Sequence, residues 1–185
     1  MAAATGAAAA ARTAAAAATK GAAPTAPTSA VGRPGLARLL APGRIIVWND
    51  PVTRDEALRQ LAHTIEVSGI PGVTNDLLTP ILERESQGST FLNEGLALPH
   101  VRLKGVRESV ISLGIAHRGI SDEPREHPIE LVFLIISPSD DPSEQTRCLA
   151  LASKAAQDRD LLRELRESHL PEDAMAAVRR RDSGL

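Results

Sequence analysis

The sequence predicts an α/β domain, a mixed β-sheet flanked by α-helices, preceded by a disordered N-terminal tail. Three observations carry that prediction. Segments of strand and helix periodicity alternate from about residue 36 onward. Leu131–Ile136 is apolar throughout, as a strand covered on both faces must be. The first 35 residues hold no large apolar side chain except Val31, so they cannot build a core of their own.

Composition sharpens the division. The 185 residues are 43% hydrophobic, but 30 of them are alanines and 17 of those alanines fall within residues 1–30. Five of the 21 basic residues and none of the 23 acidic ones precede Asp50, so residues 50–185 hold 16 basic against 23 acidic groups, a net charge of −7. An acidic body with three aromatic residues (Trp48, Phe91, Phe133) suits neither phosphate neutralisation nor base stacking, which excludes nucleic acid as the expected partner. Cys148 is the single cysteine, so no intramolecular disulfide and no cysteine zinc cage can form. No metal and no cofactor is expected. No apolar run approaches the roughly 18 residues that read as a membrane span, and a cytoplasmic protein is the expectation. The predicted division is a tail over 1–35, a domain over 36–170 and a short helix and tail over 171–185.

The elements follow in order. Leu36, Leu39 and Leu40 predict a helical turn, and Arg44–Trp48 a strand. Thr53 with Glu56 three residues on reads as a capping box opening a helix along Ala57, Leu58, Leu61, Ala62 and Ile65, with Gly69 beyond its end. A second helix is expected from Thr74 to Gln87, with Pro80 either kinking it or marking a restart capped by Thr79. Ser109–His117 alternates large and small apolar groups and predicts a strand. After the Leu131–Ile136 strand, Ser143 is placed to cap a helix through Cys148, Ala152 and Ala156. The pattern restarts at Asp158 and runs to about Ser168, and Pro171 begins a last short helix. Arg179–Arg181 reads as a solvated charge run, and Cys148 as a core residue.

The segment with chemistry in it is residues 83–102. His100 follows Gly95-Leu-Ala-Leu-Pro99, and the proline biases Leu98 to an extended backbone, which would hold the imidazole at a rigid strand end or loop. Arg84 lies near the end of the preceding helix, with the Gly88 turn folding the chain back between them. A neutral imidazole is a nucleophile near pH 7, and an arginine can grip phosphate oxygens bidentately. One His with one Arg suffices for a phosphoryl relay but not for a metal site or a Ser-His-Asp triad. His63, His117, His127 and His169 read as structural or solvent-exposed, with His117 the one whose strand end could approach the site. The paired carboxylates Asp122-Glu123 and Asp140-Asp141 read as solvated turns.

The run Gly95-Leu-Ala-Leu-Pro-His100-Val-Arg102, with Arg84-Glu85 and Gly88-Ser-Thr90 upstream, resembles the IIA domains of the phosphotransferase system, in the fructose/mannitol/nitrogen-regulatory (type 2) class. The resemblance covers roughly residues 38–170. It implies a phosphocarrier in which His100 accepts a phosphoryl group from a phosphorylated HPr-like protein. That group then passes to a IIB domain, or its presence controls regulatory target proteins. Arg84 would stabilise the phosphoryl group. The family carries a second active-site histidine at the start of the long helix, and alignment puts Gln145 there, with Thr146 or Arg147 as the neighbours if the loop shifts. Gln145 and the helix N-terminus could still donate to phosphoryl oxygens, but neither carries a titrating proton. That departure keeps an alternative open: a IIA-like module that binds or senses partners without being phosphorylated.

Overall fold

The computed structural model describes residues 35–91, 95–121 and 128–183. The expected tail over 1–35, His127 and Asp122-Glu123 lie outside them, apart from Gly35. In order, the elements are α1 (Leu36–Leu39), a 3-10 turn (Pro42–Arg44), β1 (Ile45–Trp48), α2 (Arg54–Glu66), α3 (Leu78–Ser86), β2 (Leu96–Ala97), β3 (His100–Leu103), β4 (Val110–Ala116), β5 (Leu131–Pro138), α4 (Pro142–Gln157), α5 (Arg159–Glu167) and α6 (Pro171–Ser183). Among the described residues no helix is long and apolar enough to cross a membrane.

The sheet is mixed, as its composition of apolar runs predicts. β4 and β5 pair antiparallel at the centre, β1 lies parallel to β4, and both β2 and β3 lie parallel to β5 along its far edge. That edge reads in the sequence as one short extended stretch. Pro99 divides it, because a residue without an N–H cannot donate to the ladder; its carbonyl still accepts from Ile135 N at 2.8 Å.

Alternation along the central strands builds two cores. Ile111, Leu113 and Ile115 of β4 and Leu131, Phe133 and Ile135 of β5 pack with α1, α4, α5 and α6 on one face. Val110, Ala116, Val132, Leu134 and Ile136 pack with α2 and α3 on the other. Sandwiched in this way, β5 is buried from end to end, the physical reason for a continuous apolar run. Gly114 is the exception on β4 that the alternation hides: a side chain there would run into the ring of Trp48.

Local chemistry sets the element ends, in places by other residues than the sequence suggests. Thr53 caps α2 by accepting from Glu56 N, but the Glu56 carboxylate binds Arg59 and Gln60 instead of closing the box. The expected helix from Thr74 starts at Leu78. Leu77 is its N-cap residue, and Asp76 just before it, not Thr79, supplies a carboxylate there, accepting from Thr79 N at 3.2 Å. Pro80 then falls in the first turn, where its missing N–H costs nothing. At α4 the cap is Asp141 rather than Ser143, its carboxylate accepting from Ser143 N at 3.0 Å and Glu144 N at 3.1 Å. Asp158 ends α4 and caps α5 through Leu161 N, as the restart predicts. The C-terminal helix is longer than a short appendage: Ala174, Met175, Ala177 and Val178 join the core, and the arginine run is ion-paired, Arg180 to Glu164 and Arg181 to Asp158 and Asp160. Cys148 is buried in the core, as read.

Candidate functional site

Four elements meet at the β3 edge of the sheet: the last turn of α3, the start of β3, the end of β5 and the first turn of α4. An open cleft of about 630 Å³ lies among them, and Arg84, His100, Arg102, Ser139 and Gln145 are on its walls. Two features place His100 there. The Pro99 carbonyl is tied to β5, and the register sets His100 beside Ile135, so its side chain stands on the sheet face that carries α4, just where β5 runs out toward that helix.

The imidazole is held at both nitrogens. Nδ1 lies 3.0 Å from the Leu98 carbonyl oxygen, and Nε2 lies 3.3 Å from Arg84 Nη2. A carbonyl can only accept and a guanidinium can only donate. The ring is therefore the Nδ1–H tautomer, with the Nε2 lone pair facing the cleft beside a fixed cation. Arg84 is fixed in turn, its Nη1 donating to the Gly88 carbonyl at 3.1 Å across the turn that follows α3.

Beneath this pair lies a buried ionic group. The Glu85 side chain is 2% exposed and accepts from Arg54 Nη2 at 3.0 Å, from Thr90 N at 3.2 Å and from Thr90 Oγ1. The Arg54 guanidinium also lies over the Phe91 ring, 4.9 Å from its centroid. Such a carboxylate is tolerable in the interior because its charge is paired and its oxygens are bonded. Thr90 carries the constraint onward, since its carbonyl accepts from Leu98 N at 3.0 Å. Leu98 is the residue whose own carbonyl sets the His100 tautomer.

Gln145, in the first turn of α4, lines the cleft at the position where the family's second histidine is expected. Thr146 and Arg147 do not: Thr146 Oγ1 returns to the Pro142 carbonyl and Arg147 pairs with Glu144. The helix N-terminus expected as an anion site is already taken by the Asp141 carboxylate. His117 does not reach the cleft, its ring lying 4.9 Å from that of His169. His63 pairs with Glu66 on the surface of α2. Among the described residues no three His, Cys, Asp or Glu side chains converge as metal ligands would.

Residues 38–180 match the family model for the EIIA 2 component of the phosphoenolpyruvate-dependent sugar phosphotransferase system. The chain belongs to this family. Among the relatives of this EIIA chain is a nitrogen regulatory protein of Bradyrhizobium diazoefficiens, 28% identical over 134 residues, which are 70% of this chain and 85% of that one. Another is the 2-O-alpha-mannosyl-D-glycerate-specific EIIABC component of Escherichia coli, 25% identical over 129 residues. That alignment covers 68% of this chain but only 20% of the larger protein. The crystal structure of the nitrogen regulatory protein IIA-Ntr from Neisseria meningitidis superposes with a TM-score of 0.66 at 19% identity, over 77% of this chain and 97% of that one. The IIA mannitol enzyme of Escherichia coli, solved in complex with phosphorylated IIB, does so with a TM-score of 0.61 at 18% identity, over 76% and 96% of the two chains. These structures share the fold of this EIIA domain.

Two residues of the site, Glu85 and Arg102, stand inside the motif without a role being legible there. Glu85 is visible in the sequence only as the neighbour of Arg84, and nothing local marks it as buried. Arg102 shares the face of His100 because residues two apart on a strand do so, a signal that depends on the strand reaching Leu103.

Proposed function

We propose that this EIIA domain is a phosphocarrier that takes a phosphoryl group onto Nε2 of His100 from a phosphorylated HPr-like donor. The observation that supports it is the pairing of a locked Nδ1–H tautomer with Arg84 at the unprotonated nitrogen. The Nε2 lone pair forms the new N–P bond while the donor's own N–P bond breaks, its electron pair returning to the donor nitrogen. Nδ1 keeps its proton on the Leu98 carbonyl throughout. A donor phosphohistidine protonated on its other ring nitrogen leaves as neutral imidazole, so charge balances across the exchange. Arg84 shifts its N–H groups from the lone pair to the phosphoryl oxygens, where charge builds during transfer.

The phosphorylated cytoplasmic form would pass the group to a IIB domain or act on regulatory targets. The regulatory outcome is favoured by the nitrogen regulatory relative, most of whose length this chain matches. One observation favours the second reading, a binding module that works without phosphorylation: the cleft holds Gln145 rather than a second histidine.

Incubation with phosphoenolpyruvate, enzyme I and HPr separates the two. An acid-labile mass gain of one phosphate on the wild type, absent from His100→Ala, supports the carrier. The geometry further requires that the phosphate sit on Nε2, which nitrogen-resolved NMR of the adduct reads directly. Arg84→Lys should slow transfer about 10- to 100-fold, because a point charge does not reproduce the bidentate grip. No label on the wild type from active donors would overturn the carrier reading in favour of the binding module.

A further inference from the structure

We infer that Arg102 is a catalytic residue of the phosphoryl site, a second cation that grips the group on His100 in place of the missing histidine. The inference rests on the carrier reading. A phosphoryl group brings about two negative charges to the cleft, and Arg84 alone meets them from one side. The two other donors suggested by the sequence do not supply charge. Gln145 is neutral, and the N-terminal amides of Ser143 and Glu144 already bind the Asp141 carboxylate. Asp141 moreover adds a negative charge at that end of the helix, and Glu83 adds another on the cleft wall.

Arg102 answers this by position. It is two residues beyond His100 on β3, so the two side chains share a face about 7 Å apart at their Cα atoms. The register agrees: His100 stands beside Ile135 and Arg102 beside Ser137, alternate residues of β5 on the face toward α4. Val101 and Leu103 point the other way and pack against the α2–α3 core. Arg102 is exposed, lines the same cleft as His100, Arg84 and Gln145, and forms no ion pair or hydrogen bond among the described residues. An arginine is long enough to cover that spacing, and its fork matches phosphate geometry. The phosphoryl group on Nε2 would then sit between two guanidinium groups, Arg84 from α3 and Arg102 from β3.

The test compares wild type, Arg102→Ala and Arg102→Lys with two donors, phosphorylated HPr and the small molecule phosphoramidate. With phosphoramidate the phosphoryl group passes from the reagent's nitrogen to Nε2 and ammonia departs, so no protein docks. If Arg102 grips the phosphoryl group, Arg102→Ala slows labelling about 10- to 100-fold with both donors, and Arg102→Lys recovers part of the rate. Arg163→Ala, which removes an exposed cation of α5 outside the cleft, controls for net charge and should match the wild type. A loss with phosphorylated HPr alone would show that Arg102 docks the donor, and would overturn the proposal. Equal rates for wild type and Arg102→Ala with both donors would overturn it too, while leaving the carrier reading intact. A wild type that takes no label from either donor would overturn the carrier reading, and this proposal with it.

Discussion

The Glu85 carboxylate accepts from Arg54 Nη2 at 3.0 Å and is almost wholly buried, while the Arg54 side chain is 24% exposed. This pair joins the start of α2 to the end of α3, and Thr90 relays it to the strand that carries His100. A buried carboxylate in such a place stabilises little by itself. Its effect is to hold the turn that orients Arg84 and Leu98 at once.

Removing it should therefore cost both stability and geometry. Glu85→Ala removes the buried carboxylate that Arg54 and Thr90 bind, and the expected loss is about 2 to 4 kcal/mol, near the lower end for breaking a buried pair because Arg54 still reaches water. Urea unfolding reads the stability. NMR of the His100 ring reads the geometry: the uniform Nδ1–H tautomer of the wild type should give way to a mixture in the folded variant. A variant of unchanged stability and unchanged tautomer would refute the linkage.

Gln145→His should restore a titrating donor to the first turn of α4. The expected result is a several-fold gain in His100 phosphorylation, greatest below about pH 6.5, where the new imidazole carries its charge. A rate profile across pH 5.5–8 checks it, and a flat ratio of variant to wild type would count against any electrostatic part for that position.

Gly114→Ala tests the close approach of β4 to Trp48. The new methyl would lie 2.6 Å from the ring's Cη2 and close against Cζ3, so the indole must move. The expected cost is about 1 to 3 kcal/mol, as for other overpacked sites. Trp48 is the single tryptophan, and its N–H donates to Gln60 Oε1 at 2.8 Å. Displacement should thus appear as a change in intrinsic fluorescence alongside a lowered urea midpoint.

The Glu56 carboxyl is held below the usual carboxylate range, first by the hydrogen bond from Gln60 and then by Arg59. A group with a lowered folded pKa adds stability above its unfolded pKa, and that contribution disappears as pH falls through the folded value. The stability gap between wild type and Glu56→Ala should accordingly be small but present at pH 7 and close toward pH 3. Urea midpoints across that range measure it, and a gap that widens on acidification would contradict the assignment.

How much of this was legible beforehand depends on the range of the force involved. The Leu131–Ile136 strand, the alternation of β4 and the restart at Asp158 follow from burial patterns and caps that act within a few residues. His100 and Arg84 stood out because a proline-framed histidine and a helix-end arginine form a local motif. Asp76 and Asp141, rather than Thr79 and Ser143, bind the helix-end amides, since several side chains in each turn can compete for them. Arg180 is 62% exposed, as a solvated run should be, but its partner Glu164 and those of Arg181, Asp158 and Asp160, are not legible locally because they lie far off in the chain.

By itself the amino-acid sequence determined the layers of the fold, the family and the two residues on which phosphoryl chemistry would turn. Periodicity and short motifs are properties of neighbouring residues. Tertiary structure alone decided which nitrogen of His100 is free, that Glu85 is the buried anchor beneath the site, that Asp141 occupies the helix end and that Arg102 faces the cleft. Apart from the Asp141 cap, each of these is a relationship between groups on different elements. Its sign and distance exist only once the sheet register and the helix packing bring those elements together.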